Sequence, residues 1–568
     1  IGGVWAQGYA DDVVIYVTGK FAKTVKDIMQ NAFKVTERWC GLSGLSINPS
    51  KTTIVPFTRQ RKNINVEQLK LFDLSIAYES QVKYLGVTLD SGLNWNAHIQ
   101  TIVVKTNKAY WACRRMVGSS WGLKPKMVAW LYTQVILPRI SYCAVVWWHK
   151  VRQKTSMTRL NGLQRMAAIA VTGAMRTTPG AALDVLLNWA PLHLKIEEVA
   201  LSAAIRLASD GLWADHYKLS GHTALNRKLR NLEQHWKFSD RVLPKYVFDH
   251  AFSVVIDSRE DIDLEIFKSN ENTVTCFTDG SKSEVGTGLG VFNEGFNIAL
   301  SANVGPFATV FQSEVRAIQV CCEELVSRGL QGRNILICSD SQAALCALKQ
   351  NKLNSKTVWD CLQALQILGG TNWVTLRWVP GHRGIEGNEH ADELAKKGLD
   401  LSVPDEVLPY SRCVVKGKIR DDLCKSSQKF WLDLVGQKQA KALLGGFNEQ
   451  RTNSLLGLGR KEVGIITRFL TGHCHLRSHL AKMNLSNTAI CRFCDMADET
   501  SKHILCECPA LMSKRSRIWG SPQISALNLS KDLMHIVKFL KDIKVILQCS
   551  SPLNGPQNMM MTILSAGE

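Results

Sequence analysis

The sequence predicts a multidomain α/β protein. At 568 residues, the chain exceeds what one hydrophobic core supports, and about 100–200 residues per domain gives three or four domains. From Thr273 to Gly398, apolar runs with strand character alternate with helical patterns, which is typical of a mixed sheet with flanking helices. The hydrophobic content of 45% and the charged content of 21% are ordinary for a chain that folds. We therefore expect several domains with separate functions.

Changes of pattern divide the chain into segments. Short β-rich runs, Asp12–Thr18 and Thr52–Phe57, surround a helical stretch near the start. A later helical region is broken by Pro138, Pro179 and Pro191. The predicted segments are an α/β piece at 1–90, a basic helical region at 91–210, a connector at 211–268, an α/β domain at 270–400, a helical linker at 401–464, a small cysteine- and histidine-containing unit at 465–520 and a tail at 521–568. Because the first residue is Ile and a strand pattern begins at once, we interpret the chain as a piece of a longer protein.

Basic residues strongly exceed acidic ones. The formal net charge is +20, which favours a polyanionic partner. The stretch from Ser91 to Leu183 contains 13 Lys and Arg residues and no Asp or Glu. Cations that can meet phosphates alternate there with rings that can stack on bases, as suits template RNA or target DNA. The rings are those of Trp95, Trp111, Trp121, Trp130, Trp147 and Trp148. The alternative for each tryptophan is a place in the hydrophobic core.

The cysteines and the apolar segments of the sequence indicate where in the cell the protein is expected. Most of the 17 cysteines stand alone within apolar periodic segments, as Cys321 and Cys361 do, which is typical of buried reduced thiols. The most apolar window, Val128–Trp148, is interrupted by Gln134 and Pro138, and neither a membrane span nor a secretory leader is expected. We expect an intracellular, soluble protein that is nuclear, cytoplasmic or both, and not secreted.

Four carboxylates stand where an α/β domain can bring them together. Asp279 follows the apolar run Val274–Phe277, and Asp340 follows a second such run; strand ends in open α/β sheets are where ligands usually lie. Glu314 lies early in a predicted helix, and Asp392 lies inside a later one. Converging carboxylates can hold a pair of divalent cations for phosphodiester hydrolysis, and Mg²⁺ prefers oxygen ligands. The alternative for Asp279 and Asp340 is the N-cap of the following helix.

A loop histidine, His382, precedes Asp392 and can shuttle protons near neutral pH. The segments TDGS, QSE, SDS and WVPGHRGIEGNEHADELA contain these five residues in chain order and resemble the four signature segments of type 1 ribonuclease H. The resemblance implies that Asp279, Glu314, Asp340 and Asp392 bind two Mg²⁺ or Mn²⁺ ions and that His382 is the accessory histidine. It also implies a ribonuclease H-like mixed sheet, and an RNA–DNA hybrid as substrate whose RNA strand is identified by its 2′-hydroxyls.

Near the start of the chain, the string YADD places Asp11 and Asp12 between apolar runs. By itself, a four-letter match fits a metal site and an ordinary hairpin turn equally well. The strings GLSINPSKTTIVPFTR and VKYLGVTLDSGLNWNAHI that follow resemble the segments after the catalytic box in reverse transcriptases of non-LTR retrotransposons. A later string, RTTPGAALDVLLNWAPL, resembles jockey-like elements of that class.

The reverse transcriptase resemblance implies a partial polymerase palm at 1–90, which would carry Asp11 and Asp12, followed by a basic thumb or connection region. That family also has a metal-binding aspartate well upstream of the YADD box, and fingers that hold the nucleotide. This sequence begins eight residues before Tyr9. We therefore expect no RNA-directed DNA polymerisation from it.

A terminal set of soft ligands predicts a zinc knuckle. Cys491, Cys494, His503 and Cys508 have the spacing of a tetrahedral CCHC site for Zn²⁺. Cys506 competes with Cys508 for the fourth place, and we prefer Cys508 because related retrotransposon proteins end this motif in Cys-Pro. The alternative is a set of unpaired cysteines beside a surface histidine.

Basic residues surround the predicted knuckle. Two roles are therefore open for it: binding of nucleic acid, and stabilisation of a small unit by zinc. These residues are Lys502, Lys514, Arg515 and Arg517. His473, His475 and His479 precede the knuckle, and we interpret them as solvated or capping side chains rather than as ligands.

Two hypotheses of function follow. The first is an endoribonuclease that cleaves the RNA strand of RNA–DNA hybrids with two metal ions, as part of a retrotransposon polyprotein with an incomplete polymerase. The alternative is a nucleic-acid-binding remnant of a decayed mobile element without catalysis. The four carboxylates and the CCHC ligands are all present, which favours the first hypothesis because decay would strike them as readily as other positions.

Overall fold

The structure, a computed structural model, describes residues 3–58, 67–118, 121–213, 220–231, 238–257, 273–284, 286–381, 383–401, 403–529 and 533–545. It divides the chain into two compact units. The first unit comprises Ile1–Ile196 and Ser427–Glu568, and the second comprises Glu197–Ser426. The first unit is therefore discontinuous in sequence, with the second inserted between its two parts.

The strands lie in the N-terminal part of the first unit and in the second unit. The strands are Val4–Tyr9 (β1), Asp12–Val17 (β2), Leu69–Leu71 (β3), Leu74–Ile76 (β4), Gln81–Tyr84 (β5), Val87–Asp90 (β6), Arg241–Tyr246 (β7), Phe252–Val255 (β8), Thr273–Lys282 (β9), Thr287–Asn293 (β10), Ile298–Asn303 (β11), Asn334–Ser339 (β12), Lys352–Ser355 (β13) and Trp373–Trp378 (β14). The helices as far as the end of the second unit are Ala22–Ser43 (α1), Asn96–Arg114 (α2), Pro125–Leu131 (α3), Leu137–Ile140 (α4), Ala144–Trp147 (α5), Lys154–Thr172 (α6), Gly180–Leu186 (α7), Leu192–Ser209 (α8), Ser220–Asn231 (α9), Val310–Ser327 (α10), Gln342–Leu348 (α11), Lys356–Gly369 (α12), Glu386–Leu399 (α13) and Arg412–Asp433 (α14).

The C-terminal part of the first unit is helical. Its helices are Lys438–Leu444 (α15), Glu449–Leu456 (α16), Arg460–Thr471 (α17), Arg477–Lys482 (α18), Met512–Trp519 (α19), Ala526–Leu529 (α20) and Leu533–Asp542 (α21). The chain also has 3₁₀ turns at Pro49–Lys51, Trp148–Arg152 and Pro509–Leu511 and π-helical turns at Tyr132–Ile136 and His503–Glu507. In the part of the chain that the structure describes, no helix combines the length and the apolar character that crossing a membrane requires.

A six-stranded mixed sheet forms the centre of the second unit, in the order β11-β10-β9-β12-β14-β8. Strands β9, β10 and β11 are antiparallel neighbours, whereas β12, β14 and β8 run parallel to β9. Apolar residues of the sheet, such as Val274 and Ile337, share a buried core with Ile318 of α10 and Leu362 of α12. The predicted mixed sheet with flanking helices is confirmed.

The segment interpreted as a connector also contributes to this unit. Its strand β8 extends the sheet beside β14, where the hydroxyls of Ser253 and Thr375 lie 3.0 Å apart although the residues are 122 positions apart in sequence. Its strand β7 pairs with β13, and the Asp240 carboxylate accepts a hydrogen bond of 2.8 Å from the Thr357 amide at the start of α12. These strands were not predicted, because they are short and their partners lie far along the chain.

The first unit has a core that the basic helical region shares with the C-terminal residues. Val185 and Leu186 of α7 are buried together with Trp431 and Phe469. The buried guanidinium of Arg451 donates a hydrogen bond of 3.0 Å to the Val185 carbonyl, 266 positions away in sequence. This shared core was not predicted, because contacts over such distances in sequence leave no local pattern.

The N-terminal part of the first unit is a small α/β arrangement. Strands β1 and β2 form an antiparallel hairpin, and helix α1 lies against β3. Phe33 of α1 is buried with Leu69, Leu71 and Ile76 of the β3–β4 hairpin. An α/β piece was predicted at this place.

Candidate active site and metal centres

Asp279 lies inside a strand rather than at the end of one. Strand β9 continues to Lys282, and Asp279 pairs with Gly290 of β10, so the expected strand end at Phe277 is wrong. The residues after Phe277 include Gly and Ser, whose low strand propensity hides the continuation; pairing with β10 supplies it. The Asp279 side chain is consequently held by the sheet and is only 6% exposed.

Glu314 lies in the first turns of α10, where it was predicted. The helix begins with a capping box in which the Thr309 side chain accepts from the Gln312 amide and the Gln312 side chain accepts from the Thr309 amide. Gly280 lets the start of this helix lie directly on β9, since a Cβ there would come within 2.7 Å of the Glu314 nitrogen. This close approach brings Glu314, which is 5% exposed, beside Asp279.

Asp340 directly follows β12, as expected. The Trp378 indole donates a hydrogen bond of 2.9 Å to the Asp340 carbonyl oxygen and so holds its backbone. The next helix, α11, is capped by Ser341, whose hydroxyl accepts from the Ala344 amide. The cap role considered for Asp340 therefore belongs to Ser341, and Asp279, inside β9, caps no helix.

The three carboxylates form one acidic cluster: an oxygen from each of Asp279, Glu314 and Asp340 lies within 4.8 Å of the other two. Burial, followed by the charges of Asp340 and Asp392, raises the pKa of Asp279 to about 7. Burial, followed by the charges of Asp279 and Asp340, raises the pKa of Glu314 to about 9. These shifts reflect the cost of burying several negative charges together. Glu314 Oε2 is buried without a hydrogen-bond partner among the described residues, which fits a site for a positively charged ligand.

Asp392, on α13, acts on this cluster but lies outside the group of three. Its carboxylate accepts a hydrogen bond of 2.6 Å from Lys396 Nζ, one helical turn later. Helix α13 lies directly on β10, because Gly290 leaves room where a Cβ would overlap the Ala391 carbonyl oxygen. Gly290 pairs with Asp279. The close approach of α13 to β10 therefore also sets the distance between Asp392 and the acidic cluster. The pairing of Lys396 was not predicted, although a Lys four residues after an Asp on one helix is a signal of such a pair in the sequence.

The remaining predicted site residues have different outcomes. His382 lies outside the residues that the structure describes, so its position stays a prediction. Asp11 lies in the tight turn between β1 and β2, and Asp12 is the first residue of β2. Both aspartates are exposed, and within the described ranges neither belongs to a group of three metal-ligand side chains.

The four CCHC residues are brought together near the C-terminus. One ligand atom from each of Cys491, Cys494, His503 and Cys508 lies within 4.8 Å of the others. The Cys491 and Cys508 sulfurs are 3.9 Å apart, and Cys494 Sγ is 3.3 Å from His503 Nε2. The Cys508 amide donates to the His503 carbonyl at 2.7 Å across the π-helical turn, which holds these two residues together. Cys506, the alternative ligand, is buried but lies outside this group.

The cations around this CCHC group are engaged within the protein. Arg515 is fully buried, and its guanidinium donates to the carbonyls of Cys508 and Pro522. The other three pair with carboxylates: Lys502 with Glu507, and Lys514 and Arg517 with Asp542. Arg515 is therefore withdrawn from the surface, whereas the side chains of Lys502, Lys514 and Arg517 keep exposures of 45%, 38% and 62%.

The six tryptophans of the acid-free stretch divide equally between core and surface. Trp95, Trp147 and Trp148 are buried, at 5%, 0% and 0% exposure. The exposed ones are Trp111 at 59%, Trp121 at 63% and Trp130 at 58%. The core interpretation therefore holds for three of them, and the other three remain available for contact with a partner.

Two family models match the chain. Residues 271–400 match the model described as RNase H, and residues 3–89 match the model described as reverse transcriptase (RNA-dependent DNA polymerase). The chain therefore carries an RNase H domain and part of a reverse transcriptase domain. RNase H domains are hydrolases that act on RNA–DNA hybrids. Both predicted resemblances are confirmed.

Curated relatives come from mobile elements. A Retrovirus-related Pol polyprotein from type-1 retrotransposable element R1 2 of Nasonia vitripennis is 25% identical over 197 residues, which are 34% of this chain and 48% of that protein. A probable RNA-directed DNA polymerase from transposon BS of Drosophila melanogaster is 26% identical over 232 residues, which are 40% of this chain and 24% of that protein. The matches thus span about half or less of these relatives. Among solved structures, RNase H1 of the archaeon Halobacterium salinarum is 22% identical with a TM-score of 0.19, covering 22% of this chain and 98% of that one.

Proposed function

We propose that residues 271–400 are an active endoribonuclease that hydrolyses the RNA strand of RNA–DNA hybrids. The observation that carries the proposal is the acidic cluster of Asp279, Glu314 and Asp340, whose oxygens lie within 4.8 Å of one another. Buried acids with strongly raised pKa values are costly to stability and are typical of functional sites. A remnant that only binds nucleic acid would gain nothing from keeping them. The match to the RNase H family model supports the same activity.

Two divalent cations, Mg²⁺ or Mn²⁺, are the cofactors that this site fits. Asp279, Glu314 and Asp340, together with Asp392, offer the hard oxygen ligands that such ions prefer. When bound, a pair of ions supplies an activated water and stabilises the leaving oxygen. The protein's own part is to hold the carboxylates in place: the strand pairing of β9 fixes Asp279, and the Trp378 indole fixes the backbone of Asp340.

Two further side chains act beside the cluster. Lys396 offsets the charge of Asp392 and holds that carboxylate at a distance of 2.6 Å. His382, which precedes α13 in the sequence, would accept or deliver a proton near the cleaved phosphate, since an imidazole changes charge close to neutral pH. Both roles are part of the proposed hydrolysis.

Incubation of the full chain with labelled nucleic acids in Mg²⁺ tests the proposal. We expect cleavage of the RNA strand of an RNA–DNA hybrid, and no cleavage of duplex RNA or single-stranded RNA. Binding of the hybrid without cleavage would instead support the nucleic-acid-binding remnant. Equal cleavage of single-stranded RNA would refute the specificity for hybrids.

For the CCHC group we infer a single Zn²⁺ with a structural role. Three sulfurs and one imidazole nitrogen within 4.8 Å are a common closed ligand set for zinc. The group lies in the core of the first unit, where Cys491 and Cys508 are buried with Leu505 and Phe469. A cation there would link the π-helical turn to the preceding knuckle and would remove the repulsion between ionised thiols.

The basic helical region is proposed to bind nucleic acid through its exposed rings. Replacing Trp111, Trp121 and Trp130 together by Ala is expected to weaken binding of single-stranded RNA, because each lost stack costs about 1–3 kcal/mol. Fluorescence anisotropy with labelled RNA measures the change. Trp373→Ala is the matched control, since that ring is 69% exposed but lies in the other unit. Unchanged affinity in the triple variant would contradict the proposal.

A further inference from the structure

Two features that lie far apart in sequence meet in the first unit. Thr177, in the loop before α7, and His473 are 296 positions apart, yet Thr177 Oγ1 lies 3.2 Å from His473 Nδ1. The same hydroxyl lies 3.5 Å from His479 Nε2. The two imidazole rings are 4.7 Å apart between centroids and nearly edge-on to one another. Two histidines that the sequence analysis treated as solvated or capping thus converge on one exposed hydroxyl.

Arg165 of α6 holds the loop that carries Thr177 through two hydrogen bonds to its backbone. Arg165 Nε donates a hydrogen bond of 3.1 Å to the Thr178 carbonyl, and its Nη2 donates to the Arg176 carbonyl. The side chains of Arg176 and Thr177 remain exposed. A loop fixed in this way loses little conformational freedom when it binds a ligand.

Positive charge surrounds the two imidazoles. The pKa of His473 is lowered to about 4, first by burial and then by the charges of His479, Lys482 and Arg165. The pKa of His479 is also lowered, by burial and then by Lys482 and His475. Every charge that contributes to these two shifts is positive, and the stretch of chain that supplies Thr177 contains no acidic residue. Such a site favours an anionic ligand.

We propose that Arg176, Thr177, His473 and His479 bind a phosphodiester group of a nucleic-acid strand. With His473 Nδ1–H and His479 Nε2–H donating to the Thr177 hydroxyl oxygen, the hydroxyl would donate a hydrogen bond to a phosphate oxygen, and the Arg176 guanidinium would add charge-assisted contacts. A strand fits better than free phosphate, because the loop belongs to the basic acid-free region and a strand gains from many such cations at once. This site is distinct from the proposed ribonuclease site, which lies in the other unit.

The salt dependence of RNA binding by the full chain tests this site. The chain would carry Asp340→Asn and would be titrated, by anisotropy, against a fluorescein-labelled single-stranded RNA of about 20 nucleotides. Arg176→Gln is expected to reduce the slope of log affinity against log salt by about 0.7, and so to weaken binding about fivefold at 0.1 M salt. Thr177→Val, which keeps the shape but removes the donor, is expected to weaken binding without this change in slope.

Lys461→Gln is the matched control, because this exposed cation lies at the far end of α17, about 16 Å from its C-terminus. It should leave the slope unchanged. Wild-type affinity and slope in both Arg176→Gln and Thr177→Val would overturn the proposal. Displacement of the RNA by about 10 mM inorganic phosphate at matched ionic strength, a concentration tenfold above a dissociation constant of about 1 mM, would overturn the assignment to a strand.

A double variant, His473→Gln with His479→Gln, extends the test to the imidazoles. Its binding is expected to be weaker than that of the wild type by at least as much as that of Thr177→Val. If the melting temperature of this double variant falls, the proposal is judged on Arg176→Gln and Thr177→Val, because those two side chains are exposed. The binding measurements use chains that carry Asp340→Asn and need no cleavage, so they can be read even if the proposed ribonuclease fails, and hybrid cleavage by the unaltered chain can be read even if this site fails.

Discussion

Replacing Asp340 by Asn is expected to abolish cleavage of the hybrid, with a loss of more than about 100-fold in rate. That factor is the upper end of what removing an outer-shell partner of a metal ligand costs, and a direct ligand should cost more. The change keeps the volume of the side chain and removes its charge. It also leaves the Trp378 hydrogen bond intact, because that bond is made to the Asp340 carbonyl. Single-turnover cleavage of labelled hybrid in Mg²⁺ measures the rate.

The matched control for this change is Asp400→Asn. Asp400 is an exposed carboxylate at the C-terminal end of α13, in the same unit as the acidic cluster, and its loss should leave the rate unchanged. Melting curves of both variants show whether the fold is kept. Asp340→Asn is expected to melt at or above the wild-type temperature, because it relieves repulsion on Asp279 and Glu314. If Asp340→Asn retained more than half of the wild-type rate, the acidic cluster would not be the catalytic centre.

The local parts of this site were predictable from sequence. Asp340 follows an apolar strand run, and Glu314 lies on a helix whose apolar face repeats at helical spacing. Both signals lie within a few residues of the side chain concerned, which is why they survive without knowledge of the fold. The predicted end of the strand that carries Asp279 was wrong, because β9 continues to Lys282. Pairing with β10 supplies the extended conformation that Gly280 and Ser281 do not favour by themselves.

The contacts over long distances were not predictable. Strand β8 is four residues long and is defined by its pairing with β14 rather than by its own pattern. The shared core of the first unit depends on contacts such as that of Arg451 with Val185, across 266 positions. The CCHC group was predicted from the spacing of its residues, whereas the burial of Arg515 was not, because in the sequence Arg515 looks like one of several surface cations.

Replacing Cys491 by Ser is expected to remove zinc from the CCHC group and to lower the melting temperature of the first unit by about 7 °C. Apparent free energies of structural zinc binding are about 10–16 kcal/mol, and a loss of about 5 kcal/mol corresponds to about 7 °C in a unit of this size, because the entropy of unfolding is about 2.1 cal/mol/K per residue. Cys491 and Cys508 are fully buried, so the chain cannot replace the lost ligand by surface rearrangement alone. Zinc content by mass spectrometry and melting by calorimetry measure the two effects.

The two roles of a buried cysteine, metal ligand and packing residue, are separated by Cys506→Ala. Cys506 is 5% exposed, lies two residues before Cys508 and is outside the CCHC group. Its replacement removes a buried sulfur from the same core and should therefore cost only about 1 kcal/mol, with one zinc per chain retained. A wild-type chain that contains no zinc, and a Cys491→Ser variant that melts like Cys506→Ala, would identify the four residues as thiols of a metal-free core. Loss of zinc and of stability in Cys491→Ser alone would instead mean that the shared core of the first unit depends on a cation, because a closed set of three sulfurs and one imidazole is stabilised as a unit by the metal that it binds.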